Sequence, residues 1–374
     1  MRIGLNLLHS MPEIGGAWNY ISSLVKGIDE HDTVNTYIAY VTKKSASMLP
    51  GNSRFVPVLI NIDPVVRAKR VIYENTVLQV HARKHKLDCM HWFANTQAIV
   101  NAVPGVVTVY DLQPFIKMHE WPLLKRIYLQ WMISNSVRRA PMLLPMSHAT
   151  ARDLERILHA DPSRMTVINA ILGKNFVRGR EEDTSSFRAR YGLPYRYWVY
   201  VAHFSPYKNH HRLLEAFRIL REDGFSPWPL VLRGDDNGEE DAVRKTIREF
   251  RLEDQVIFLP RLEAKELPLL YSTATALVFP SLFEGGGIPV IEAFACGCPV
   301  LASNNPATRE YAGSAADYFD PSDTSSIVRA ILEFQSDLGR RETLREEGLA
   351  RAAEFRSEKI VSKLLEAYGK VTGG

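Results

Sequence analysis

The stretch FPSLFEGGGIPVIEAFACGCPVLAS, residues 279–303, decides the fold. It reads as strand, glycine-rich turn, helix, strand. Gly285, Gly286 and Gly287 carry no Cβ, so the backbone there can approach a ligand and take positive φ. The turn runs into a helix start, with Ile288 and then Pro289 at the first helical positions. Unpaired N–H groups and the helix dipole at such a start suit a diphosphate. Glu284 stands at the turn, placed to bind sugar hydroxyls. Glu292 stands on the helix, placed to accept two hydrogen bonds from a ribose.

Outward from this stretch, short apolar strands alternate with amphipathic helices. Arg2–Leu8, Tyr37–Val41, Val106–Val109 and Met142–Pro145 read as strands in the first half. Ala17–Ile28 reads as a helix, and Ser147 as the cap of another through Leu158. The pattern restarts with strands at Trp198–Val201, Leu230–Leu232, Val256–Phe258, Ala276–Val278 and Val300–Ala302. Helices fall between them, near 209–220, 241–250, 267–272 and 290–295. Such βα alternation predicts a mostly parallel sheet covered by helices, with ligands beyond the carboxyl ends of the strands. The 374 residues suit two α/β domains. The polar segment 173–190 reads as a linker. The expected division is an N-terminal domain over 1–173 and a C-terminal domain over 190–356. A last helix over 357–374 has Ile360, Val361, Leu364, Leu365 and Tyr368 on one face and crosses back to the first domain.

Composition excludes several classes. Hydrophobic residues make up 46% and charged residues 24%, ordinary for a globular protein. No apolar run approaches the ~20 residues of a membrane span, and MRIGLNLLHS reads as a strand rather than a signal peptide. The three cysteines, Cys89, Cys296 and Cys298, show no zinc spacing and suit a reducing, cytoplasmic compartment. Asp235 and Asp236 are no recognisable ligand set, so neither a metal nor another cofactor is expected. Residues 1–174 hold 20 Lys/Arg against 12 Asp/Glu, a balance of +8, and residues 175–374 hold 26 against 30, a balance of −4. The basic half suits an anionic partner such as an acidic lipid surface. Nucleic acid is disfavoured by the absence of a motif and by the acidic second half. Two basic, aromatic stretches, 65–86 and 121–139, read as helices that either pack into the core or lie on a membrane surface.

Glu284 and Glu292 match the E-x7-E motif of the retaining glycosyltransferases called family 4, and the chain resembles that family mainly over residues 195–325. SNNPATREYAGSAADYFDPSD (303–323) continues the likeness. The resemblance implies the GT-B fold, in which two Rossmann-like domains face a central cleft that closes by hinge motion. In YVAHFSPYKNHHRLLEAF (200–217) it places Lys208 against the donor diphosphate. In LPRLEAKELPLLYSTATALVFPS (259–281) it puts Arg261 and Leu262 near the nucleotide base. In EIGGAWNYISSL (13–24) it brings Gly15 and Gly16 towards the phosphates or the acceptor.

Two departures stand out. Tyr110-Asp111 occupies the family's usual His-Asp pair, and His203 and Tyr207 stand where relatives often carry Arg. Tyr110 can hydrogen-bond a sugar hydroxyl but is not basic at neutral pH. His203, Arg233 or another residue would have to supply the missing cation. The implied function is hexose transfer from a nucleotide diphosphate sugar to a glycan or lipid-linked acceptor in envelope or exopolysaccharide assembly. Mannose from GDP-mannose is the first candidate. The enzyme would sit in the cytoplasm or on the inner membrane face. A donor-binding partner with little catalysis of its own is the alternative.

Overall fold

A computed structural model of the chain describes residues 1–12, 15–117 and 121–373. Two compact units divide it, Met1–Ile171 with Arg356–Gly374, and Leu172–Phe355.

The first unit runs β1 (Arg2–Asn6), α1 (Gly16–His31), β2 (Thr36–Val41), β3 (Phe55–Leu59), α2 (Arg67–Asn75), α3 (Val77–Lys84), β4 (Cys89–Trp92), β5 (Gly105–Val109), α4 (Gln113–Ile116), α5 (Leu123–Arg139), β6 (Met142–Pro145) and α6 (His148–Leu158). Its six strands are parallel in the order β3-β2-β1-β4-β5-β6. β5 and β6 are buried along their whole length, as a sheet covered on both faces requires. Ser147 caps α6 by accepting a hydrogen bond from the Thr150 amide.

The second unit runs α7 (Glu181–Tyr191), β7 (Trp198–Val201), α8 (His210–Glu222), β8 (Leu230–Arg233), α9 (Glu240–Glu249), β9 (Val256–Phe258), α10 (Leu267–Thr273), β10 (Ala276–Phe279), α11 (Ile288–Ala295), β11 (Val300–Ser303), α12 (Pro306–Ala312), β12 (Ala316–Phe319), α13 (Thr324–Ser336) and α14 (Leu338–Ala352). Its sheet is parallel in the order β12-β11-β10-β7-β8-β9. The last helix, α15 (Ser357–Thr372), belongs to the first unit and packs on α1 and β4. There the buried His91 ring bridges Tyr368 Oη at 2.6 Å and Thr108 Oγ1 at 2.8 Å. Burial holds that imidazole neutral, with its pKa down to about 3.

Each sheet therefore has one place where strand order reverses: β1 beside β4 in the first, β7 beside β10 in the second. Loops leaving the carboxyl ends of strands at such a point form a crevice, the usual ligand position in open α/β sheets.

Three expectations need correction. The presumed linker 173–190 is largely the helix α7, which packs on α10 and buries Phe187. The stretch 65–86 is two helices, broken at Thr76 where φ is −127° and ψ −85°. The stretch 121–139 packs into the core over only part of its length. Its second half buries Met132, Ile133 and Val137, and its first half leaves large apolar side chains in solvent.

Candidate active site

The loops after β7 and β10 are tied together. Leu282 donates its amide to Tyr207 O at 2.8 Å, and Tyr200 Oη donates to Lys208 O at 2.7 Å. Asn209, in a left-handed conformation with φ 62°, sends its side-chain amide to Pro280 O and Pro321 O. This framework sets the Lys208 ammonium 2.6 Å from Glu284 Oε1, with the two side chains only 9% and 12% exposed. Lys208 also lies 5.0 Å from the Tyr207 ring centroid and 5.8 Å from that of Phe279. A cation with apolar walls attracts an anion strongly, because little water screens it, and Glu284 occupies that place here.

Gly285, Gly286 and Gly287 follow at once and lead into α11. None of the three has positive φ, contrary to the expectation. The need for glycine at 287 is spatial: a Cβ there would stand 2.7 Å from Tyr311 Cβ. Gly287 caps α11 without a side chain, and its carbonyl accepts from Val290 and Ile291. The first-turn amides, including that of Ile288, have no acceptor within the helix. They carry the positive end of the helix dipole.

Glu292 sits one turn into α11, only 5% exposed, and accepts a hydrogen bond from Tyr271 Oη at 3.3 Å. Burial pushes its carboxyl up to about 8, against the smaller pull of the Tyr271 hydroxyl. The ready-ionised acceptor expected from sequence is therefore a mostly protonated acid at neutral pH.

His203 is another correction. Its Nε2 pairs with Tyr207 Oη at 2.9 Å. Burial, reinforced by the neighbouring Lys208 charge and opposed by Asp235, brings its pKa down to about 4. It is neutral at pH 7 and does not replace a guanidinium. Arg233 is engaged with Asp235 at 3.2 Å. Arg261 is exposed and Leu262 half-buried in the loop after β9.

In the first unit, Tyr110 and Asp111 follow β5. The Tyr110 ring meets Tyr20 edge-on at 5.5 Å, and its buried hydroxyl has no hydrogen-bond partner among the described residues. Burial raises its pKa further. Asn95 fixes the backbone here, accepting from the Tyr110 amide at 2.7 Å, and Asp111 Oδ1 accepts from the Gln113 amide at 2.9 Å. Gly15 caps α1 with φ 59° and ψ −116°, a conformation open to glycine, and nothing lies within 4 Å of a Cβ built at Gly15 or Gly16. Glu13 and Ile14 lie outside the described residues. Sequence reasoning missed His9 and Ser10, which follow β1 at the reversal point. Both are buried, and His9 Nε2 and Ser10 Oγ have no hydrogen-bond partner among the described residues. The only sequence signal was their place just past the first strand.

Among the described residues no group of three His, Cys, Asp or Glu could hold a metal ion. Cys89, Cys296 and Cys298 are free and buried. No helix there is long and apolar enough to cross a membrane.

Residues 183–351, which hold the Lys208–Glu284 pair, the Gly-rich turn and Glu292, match the family described as glycosyl transferases group 1. The O-antigen chain mannosyltransferase B of Escherichia coli is 25% identical over 332 residues, 88% of this chain and 87% of that one. The sucrose-phosphate synthase of Thermosynechococcus elongatus superposes with a TM-score of 0.80 at 18% identity, covering 100% of this chain and 99% of the other. The chain is a glycosyltransferase with the GT-B fold. This glycosyltransferase is also 27% identical over 226 residues to the O-antigen chain mannosyltransferase RfbU of Salmonella typhimurium, 60% of this chain and 59% of that one. Its fold is shared with HepE of Anabaena, solved with UDP and glucose, at a TM-score of 0.76 and 19% identity over 98% of each chain.

Proposed function

We propose that this glycosyltransferase moves a hexose with retention of configuration from a nucleotide diphosphate sugar to a glycan or lipid-linked acceptor of an O-antigen-like polysaccharide. Mannose from GDP-mannose is the first candidate, because several similar curated proteins are named mannosyltransferases. One observation carries the reading: Lys208 and Glu284 meet at 2.6 Å where the second sheet reverses its strand order, beside the Gly-rich start of α11.

The chemistry follows from that placement. The bond between the sugar C1 and a β-phosphate oxygen breaks, and the diphosphate departs with the electron pair. The Lys208 ammonium and the α11 amides, near Gly286, Gly287 and Ile288, take up the charge that develops. Glu284, drawn from Lys208 when phosphate takes its place, accepts hydrogen bonds from sugar hydroxyls and fixes C1. An acceptor hydroxyl forms the new bond on the same face, and its proton passes to the departing phosphate oxygen. Glu292 binds the ribose, and Arg261 and Leu262 lie towards the base. Gly15, Gly16, Tyr110 and Asp111 serve the sugar or the acceptor. No metal or other cofactor takes part. The protein contributes position and charge rather than a covalent intermediate.

The alternative, a donor-binding partner with little turnover, is favoured by two observations: His203 is neutral, and a tyrosine stands at position 110. Hydrolysis of GDP-mannose, followed in time for the wild type and Glu284→Ala, separates the two. Slow turnover that vanishes in the variant supports the transferase. Tight donor binding with no turnover, whatever acceptor is added, supports the partner.

A further inference from the structure

The first half of α5 carries large apolar side chains where none is needed to hold the first unit together. Leu124, Ile127, Tyr128 and Trp131 are 84%, 52%, 36% and 51% exposed. They fall at i, i+3, i+4 and i+7, so they form one continuous stripe. The opposite face of the same helix is buried through Met132, Ile133 and Val137. This helix is thus apolar on two sides, and one side has no partner in the described chain. α2 lies next to it, as the mutual influence of Arg70 with Tyr128 and of Arg67 with Lys125 requires. α2 buries no residue at all and adds Ile72, 64% exposed.

Charge tells what covers this face. α5 contains Lys125, Arg126, Arg138 and Arg139 and no acidic residue. α2 contains Arg67, Lys69 and Arg70, and its one acid, Glu74, is turned inward to Asn6 Nδ2 at 3.0 Å and Arg70 at 3.7 Å. Lys125 is packed over the Trp121 ring at 4.5 Å, its head close enough to Arg67 for the two cations to repel. An anionic surface relieves that repulsion, whereas a neutral protein face does not. Aromatic and aliphatic anchors flanked by long basic side chains suit the boundary between acyl chains and anionic headgroups.

We propose that the outer face of α5, together with α2, docks the first unit on a bilayer bearing anionic lipid, with Leu124, Ile127 and Trp131 entering the interface and Arg67, Lys69 and Lys125 engaging the headgroups. This docking stands independently of the sugar-transfer reading. It holds the enzyme at a surface where a lipid-linked acceptor is confined to two dimensions.

Co-sedimentation of the full chain with vesicles of phosphatidylcholine, with and without phosphatidylglycerol, tests it. Binding is expected with phosphatidylglycerol only and falls as salt rises. Each of Arg67→Gln, Lys69→Gln and Lys125→Gln weakens it by about fivefold, in line with the contribution of one basic residue near an anionic surface. Leu124→Glu/Ile127→Glu weakens it by about tenfold or more, with Tm and donor hydrolysis in solution unchanged, because both side chains already lie in water. A blue shift of tryptophan emission on adding anionic vesicles diminishes in Trp131→Phe. Equal binding to both vesicle types, or binding that the double variant leaves intact, overturns the proposal. So does failure to bind vesicles by a chain that light scattering finds dimeric until Leu124→Glu/Ile127→Glu makes it monomeric. In that case the face joins two copies of the chain.

Discussion

The Lys208 ammonium stands 2.6 Å from the Glu284 carboxylate, and both are nearly enclosed. Each is the other's counterion. If the proposed donor diphosphate competes for the same ammonium, its binding exchanges one ion pair for another and frees Glu284 for the sugar.

Removing either partner should therefore affect stability and function differently. Lys208→Met strands a nearly buried carboxylate and is expected to lower stability by about 2–3 kcal/mol. Lys208→Met/Glu284→Gln should recover most of that loss, while donor hydrolysis stays at least about 100-fold down. Thermal denaturation of the three variants beside their hydrolysis rates checks the prediction. A double variant as unstable as the single one contradicts it.

Glu292 makes donor binding depend on pH. Its carboxyl stays protonated up to about 8 in the free protein, and a ribose diol is best held by the ionised form. Affinity for the donor nucleotide should rise with pH through that value, with proton release on binding. Calorimetry in buffers of different ionisation enthalpy reads the proton, and Glu292→Gln should abolish both effects. Stability has the opposite sign. The unfolded carboxyl ionises near 4.5 and the folded one near 8, so the unfolded state binds fewer protons in between and stability falls across that window. Glu292→Gln should thus be more stable than wild type at pH 7.5, by about 1 kcal/mol or more. A less stable Glu292→Gln at that pH counts against the account.

The two glycine sites separate backbone strain from space. Gly15→Ala meets no neighbour, yet must hold φ 59° and ψ −116°. It is expected to lose about 1–3 kcal/mol. Gly16→Ala sits in the first turn of α1 with nothing within 4 Å and should be neutral or slightly stabilising. A fall in activity with an unchanged Tm in Gly16→Ala is the mark of a ligand passing close to that backbone.

Gly287→Ala drives a Cβ into Tyr311, 2.7 Å away. A loss of about 1–3 kcal/mol is expected, together with weaker donor binding, because the α11 start must move. Combining it with Tyr311→Gly, which removes the opposing Cβ, should lose less than the sum of the single changes. Strict additivity, measured by denaturant unfolding, places the strain elsewhere.

Much of the second sheet was legible because the strands on either side of its reversal are apolar runs bounded by turn residues, Trp198–Val201 and Ala276–Phe279. Three strands escaped for physical reasons. β3 contains Pro57, tolerated because β3 is an edge strand. β4 is four residues long and contains His91, whose burial rests on Tyr368, 277 residues away. β12 is a short, half-buried edge. In the site, Glu284, Lys208 and the glycine turn were readable from types and order. That Glu284 closes onto Lys208, that Glu292 is held protonated and that His203 is neutral were not. Each depends on burial by residues distant in sequence, such as Tyr271 for Glu292. His9 and Ser10 gave only their place after β1, and one histidine and one serine after a strand resemble many loops.

The central claim is that the second unit grips a nucleoside diphosphate through Lys208 at the strand-order reversal. Isothermal titration of wild type and Lys208→Met with GDP, UDP and ADP at pH 8 tests it most directly. The account predicts saturable binding of at least one of the three by the wild type, GDP foremost, and affinity lower by about tenfold or more in Lys208→Met. Equal affinity in the two proteins, or no binding of any of the three to a folded wild type, contradicts it.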